Sequence, residues 1–78
     1  MFQELDLVVL NRDFPEYGLK EGDIGSIVHC YQPHDSYEVE FVNARGETIA
    51  LLTLTLVDIR AMDGLEILHV RALRQAAA

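Results

Sequence analysis

The 78-residue sequence has one cysteine, two prolines and no tryptophan. Cys30 alone cannot form an intramolecular disulfide, so a disulfide-stapled scaffold is excluded. Its neighbours are apolar or aromatic, which reads as a small core or strand residue more than a reactive thiol. Three Phe and three Tyr are the only aromatic residues, so Val, Ile and Leu have to fill the core. Positive charge is also scarce: six Lys and Arg face thirteen Asp and Glu, for a formal charge of −7. Such a surface repels phosphate backbones, which disfavours nucleic acid, and is compatible with a basic protein partner. The plainer reading is that the charge keeps the protein soluble. No long apolar run is present. The longest stretch without an ionisable Asp, Glu, Lys, Arg or His, Thr48 to Val57, spans ten residues, half of what a membrane crossing needs. The start, Met1-Phe2-Gln3-Glu4-Leu5-Asp6, has no basic region followed by an apolar one, so no signal peptide is read. A cytoplasmic protein without membrane contact is expected.

What is present is a series of short β signals. A chain of this size buries only about 60–65% of its unfolded surface, so it makes one domain with a thin stability margin. Leu5-Asp6-Leu7-Val8-Val9-Leu10 reads as a first strand. Asn11, Asp13, Pro15 and Gly18 then form a wide loop that carries Phe14 and Tyr17. Those aromatics either fold back over one end of the core or form an exposed pair. Gly22 is placed to take a positive φ, and Gly25 marks a bend or bulge at the start of a second strand, Ile24 to Tyr31. In that strand Ile24, Ser26, Val28 and Cys30 should share one face, and Gly25, Ile27, His29 and Tyr31 the other.

The third strand, Ser36 to Val42, alternates strictly, with Tyr37, Val39 and Phe41 inward and Glu38 and Glu40 outward. Asn43-Ala44-Arg45-Gly46 is a hairpin turn, and Glu47 to Leu54 returns beside it, able to set Thr48 or Arg45 opposite the two glutamates. A single helical turn over Thr55 to Asp58, capped by Thr53 or Thr55, precedes a last short strand, Ile59 to Met62, closing against the first. Five short strands with one helical turn predict an all-β, five-stranded SH3-like barrel over residues 4–62. Residues 63–78 form a C-terminal extension. Apolar residues at 65, 68 and 72, with Arg71 and Arg74 late, predict a helix over Leu65 to Gln75; alternation of Leu65, Ile67, His69 and Arg71 leaves an extended tail open. Ala76-Ala77-Ala78 resembles a cloning remnant and carries no functional expectation.

Catalytic, metal and cofactor motifs are not found. In a strand His29 and Cys30 point to opposite faces and cannot act as a dyad. His29, Cys30, His34 and Asp35 match no zinc spacing; His34 reads as a solvated loop residue and His69 as a surface group. Glu38 and Glu40 lie ~7 Å apart on an open strand face, which is not the cleft that acid–base work requires. Gly22 and Gly25 lead into a strand, not a helix N-terminus, so they are no phosphate cradle.

The runs Leu5 to Leu10, Pro15-Glu16-Tyr17-Gly18-Leu19-Lys20-Glu21-Gly22-Asp23-Ile24-Gly25-Ser26-Ile27-Val28 and Tyr37-Glu38-Val39-Glu40-Phe41 resemble a family of short bacterial proteins catalogued as a domain of unknown function. The resemblance covers roughly residues 4 to 60. It implies an SH3-like barrel, occurrence in cyanobacteria and beside toxin genes, and hence an antitoxin-like role, with no established activity. The Gly-Asp-Ile-Gly-Ser-Ile-Val segment is also similar to a strand turn of ribosome- and transcription-associated barrels.

Two functional expectations follow. One is a non-catalytic, acidic protein-interaction module that binds a partner through Phe14, Tyr17, Tyr31, Glu16, Glu21 and Asp23, because aromatic anchors supply most interface energy. The other is a nucleic-acid- or ribosome-associated barrel, for which Arg12, Lys20, Arg45, Arg71 and Arg74 are the available cations. The apolar tail residues Leu65, Leu68, Val70 and Leu73 add a candidate contact with a second copy.

Overall fold

The computed structural model describes residues 2–31 and 35–73. Among these residues five strands form one antiparallel sheet: β1 (Leu7–Leu10), β2 (Ile24–Tyr31), β3 (Ser36–Val42), β4 (Thr48–Thr55) and β5 (Ile59–Ala61). Their spatial order is β4-β3-β2-β1-β5. The last strand does lie against the first, with Val8 opposite Ala61 and Leu10 opposite Ile59. The sheet is not closed, however, since β4 and β5 are its two edges. At three residues, β5 offers too short a ladder to join both neighbours. Val8, Leu10, Ile27, Val39, Phe41, Leu52, Leu54 and Ile59 nevertheless form one buried cluster to which every strand contributes. The core is aliphatic with Phe14, Tyr37 and Phe41 added, as the lack of Trp requires.

Strand β3 alternates as its sequence predicts, with Tyr37, Val39 and Phe41 buried. Strand β2 does not. A bulge lets Ile27 face Val39 while His29 faces Glu38, so Val28 is the extra residue. The inserted residue shifts the alternation by one. Cys30 therefore joins Gly25 and Ile27 on the core side, whereas the strict pattern grouped it with Ile24 and Val28. A Cβ on Gly25 would stand 2.6 Å from Val39 Cγ1 and 2.7 Å from Phe41 Cε2. Only glycine permits β3's side chains to approach so closely.

Gly22 takes a φ of 94° in the turn before β2. At the β3–β4 hairpin, Gly46 takes the left-handed conformation, while Asn43 acts through its side chain. Its Oδ1 accepts the amides of Arg45 and Glu47 at 2.9 and 3.0 Å. The turn over residues 55–58 is closed by Asp58 N donating to Thr55 O at 2.9 Å, and Thr55 Oγ1 accepts from Val57 N. The helical turn expected there is a plain turn, because Asp58 Oδ2 folds back to accept the Thr55 amide at 3.0 Å and the chain enters β5 at once. Among the described residues the short helical element is the 3₁₀ turn Pro15–Tyr17, inside the first loop.

The helix expected over 65–75 is absent from residues 65–73, which are irregular after a turn at 64–65; residues 74 and 75 lie outside the described residues. Two ion pairs hold this segment instead, Arg60–Glu66 close in sequence and Arg71–Asp23 across 48 positions. His34 and Ala76–Ala78 also lie outside the described residues. Among the described residues no helix is long and apolar enough to cross a membrane.

Candidate functional site

The loop between β1 and β2 is built around a clasp. Phe14 and Leu19 exchange backbone bonds, Phe14 N to Leu19 O at 2.9 Å and Leu19 N to Phe14 O at 3.1 Å. Both side chains are buried, Phe14 to 7% exposure, and the Arg12 guanidinium stacks on the Phe14 ring at 4.0 Å. Phe14 thus covers the core and leaves no face for a partner. Between the clasped residues, Pro15–Tyr17 forms the 3₁₀ turn with Gly18 left-handed at its end. This displays Tyr17, 47% exposed, beside exposed Glu16.

Below that tip, Asp13 Oδ1 accepts the Glu21 amide at 2.8 Å, and Asp23 Oδ2 accepts the Lys20 amide at 2.8 Å. Asp23 is also held by the tail: Arg71 Nε donates to its Oδ1 at 2.9 Å, and Arg71 Nη2 reaches Asp23 Oδ2 and, at 2.9 Å, Gly18 O. Burial pushes the Asp23 carboxyl up, but the Arg71 and Lys20 bonds and charges outweigh it and hold its pKa below the usual value. Asp23 is therefore already engaged, while Glu16 and Glu21 remain exposed.

Tyr31 does not join this group. It sits at the opposite end of β2 from the loop, ~23 Å along an eight-residue strand. There its hydroxyl donates to Glu38 Oε1 at 3.2 Å, a bond that raises its pKa, with burial and the carboxylate charge acting in the same direction. His29 packs edge-on against the Tyr31 ring at 4.6 Å, and Thr53 Oγ1 donates to Glu38 Oε1 at 2.6 Å. Thr48 Oγ1 bonds Glu40, the pairing that the strand alternation anticipates. Cys30 faces inward, its thiol 3.6 Å from Phe2 O, away from His29.

The cations are spent on intramolecular pairs. Arg12 Nε bonds Asp58 Oδ1 at 2.9 Å, Arg71 bonds Asp23, and Arg60 bonds both oxygens of Glu66 at 3.0 and 2.7 Å. Among the described residues only Lys20 and Arg45 make no ion pair.

A groove of about 570 Å³ opens beside the loop, and sequence reasoning did not anticipate it. Ile24, Phe41, Val42 and Ile49 line one wall; Ile67, Val70, Arg71 and Leu73 of the tail line the other. The tail comes back over the sheet because the 63–66 turn reverses it and Arg71 reaches Asp23, 48 positions away. No local pattern signals a contact at that separation.

Comparison with curated proteins finds no match, and comparison with solved structures finds none. A family model does match: the one described as Domain of unknown function (DUF4926) covers residues 4–61, from the turn before β1 to the end of β5. The five strands and the clasped acidic loop lie inside that span, the tail lies beyond it, and the chain belongs to this family.

Proposed function

We propose that the protein is a non-catalytic interaction module on an SH3-like barrel, binding a basic protein partner through the loop between β1 and β2. The observation that carries the reading is the loop tip itself. Tyr17 and Glu16 are displayed by a turn whose base, Phe14 and Leu19, is buried and doubly hydrogen-bonded. A preordered loop loses little conformational entropy on binding, and a half-exposed Tyr among carboxylates offers an anchor together with electrostatic steering. The strand order, with the last strand beside the first around one core, supports the barrel reading.

An antitoxin-like, cytoplasmic protein that covers a toxin's basic surface is the concrete version. Glu16, Glu21 and Asp13 would face the partner's cations. Tyr31 takes part only if the partner extends the length of β2. The pairing of Arg12, Arg60 and Arg71 with carboxylates favours this reading over a nucleic-acid-binding one, which would require a free basic patch.

Co-expression with the product of the neighbouring gene, followed by co-purification, tests the proposal. A complex is expected that Tyr17→Ala combined with Glu16→Gln and Glu21→Gln disrupts. No complex at any salt concentration, or one indifferent to these changes, overturns it.

A further inference from the structure

Two features of the molecule are incomplete in complementary ways. Strand β4 is a sheet edge of eight residues, Thr48–Thr55, without a charge or a proline. Edge strands are ordinarily protected against pairing by such residues. Its Leu51 is 52% exposed on the outer face. The tail is the converse, an irregular segment with no sheet. Among the described residues, the main chain of 67–71 makes no hydrogen bond. Leu65, Ile67, Leu68 and Val70 are 69 to 95% exposed. Ion pairs pin both ends, Arg60–Glu66 at one and Arg71–Asp23 at the other, so the apolar side chains are held outward.

We infer that the tail pairs as an added strand with the β4 edge of a second copy, and that the exchange is reciprocal across a two-fold axis. The placement of the two halves supports this. Tail residues Ile67 and Val70 form one wall of the groove, and Ile49 of β4 lies in the other. A two-fold passing through that groove brings each copy's tail to the other's edge and satisfies both at once. Charge agrees with it. The segment from residue 67 onward holds Arg71 and Arg74 and no acidic side chain, while all thirteen carboxylates precede it. The tail thus carries none of the carboxylates that would repel a second acidic copy. Strand addition gives main-chain bonds for affinity and alternate side chains for packing. The inference does not depend on the partner reading above, which uses the loop between β1 and β2.

Light scattering after gel filtration of the full chain tests it. The expected mass is twice 8.8 kDa, falling toward the monomer on dilution. Leu51→Lys puts a charge on the edge and Val70→Asp puts one on the tail; both sites are exposed, and circular dichroism checks that each variant folds. Each variant alone is expected to be monomeric, and mixing them should restore the dimer, because one contact is then wild-type and the other pairs Lys with Asp. A full chain that stays at 8.8 kDa at every concentration overturns the inference, as does a dimer that survives both substitutions or monomeric variants that do not recombine.

Discussion

Arg71 holds Asp23 across 48 positions of chain, with Nε 2.9 Å from Oδ1 and Nη2 on both Oδ2 and the Gly18 carbonyl. Each partner's side chain is exposed by a quarter or less. The pair joins the tail to the turn that starts β2, and so makes one wall of the groove out of residues beyond the family's span. Asp23, which by sequence belongs with the partner-binding acids, is thereby a structural anchor.

If that pair holds the tail, its loss should be measurable and non-additive. Arg71→Ala and Asp23→Asn are each expected to lower stability by about 1 kcal/mol, between the worth of an exposed ion pair and that of a sheltered charged hydrogen bond. In a double-mutant cycle read by urea unfolding, the double variant should lose no more than either single one. Additive losses would show that the two side chains act independently.

Gly25 should be the least tolerant glycine. Its φ is not left-handed, so the demand is steric: Val39 and Phe41 stand within 2.7 Å of where a Cβ would lie. Gly25→Ala has to push β2 from β3 and is expected to cost about 1–3 kcal/mol. Gly64→Ala, where nothing stands within 4 Å, should leave the urea midpoint nearly unchanged. Equal midpoints for the two variants would contradict the packing described.

The loop aromatics should separate cleanly into core and surface. Phe14→Ala removes a buried ring from the end of the core and is expected to cost about 3–5 kcal/mol. Tyr17→Ala, at a half-exposed tip, should stay within about 0.5 kcal/mol. Thermal or urea unfolding of the two variants checks the contrast, and a comparable loss at Tyr17 would mean that its ring also supports the fold.

Much of the sheet was legible because β3 alternates strictly and the turn after it carries Asn43 and Gly46 at the positions that need them. Phe14 and Tyr17, three residues apart in one polar loop, look equivalent in sequence; only the Phe14–Leu19 bridge separates them. The bulge at Val28 was hidden for a different reason. An inserted β residue changes the facing of its successors without changing composition, so Cys30 left the face that strict alternation shares with Ile24 and Val28 for the core side. The tail satisfied both helical and alternating patterns, and the choice was made by Glu66 and Arg71 finding Arg60 and Asp23. Those are tertiary contacts, invisible to any local period. The open sheet was equally beyond the sequence, which shows how many strands there are but not whether a three-residue one can join both edges.

The tail's other anchor gives the pH prediction. Arg60 donates to both Glu66 oxygens and the Asp63 amide adds a third bond at 2.7 Å, bringing the Glu66 carboxyl down from 4.5 to about 2. A carboxylate with a depressed folded pKa contributes stability above its unfolded value and loses that contribution as pH falls through the folded one. The turn at 63–66 should therefore be fully held above pH 4.5 and released as pH approaches about 2. Asp23 is shifted in the same direction, so acid weakens both ends of the tail together. Carbon-detected NMR titration of the Glu66 side chain should give a midpoint near 2 in the native protein. Arg60→Ala should move that midpoint back toward 4.5 while leaving the Asp23 titration low. A native Glu66 titrating at 4.5 would mean that Arg60 does not hold it in solution.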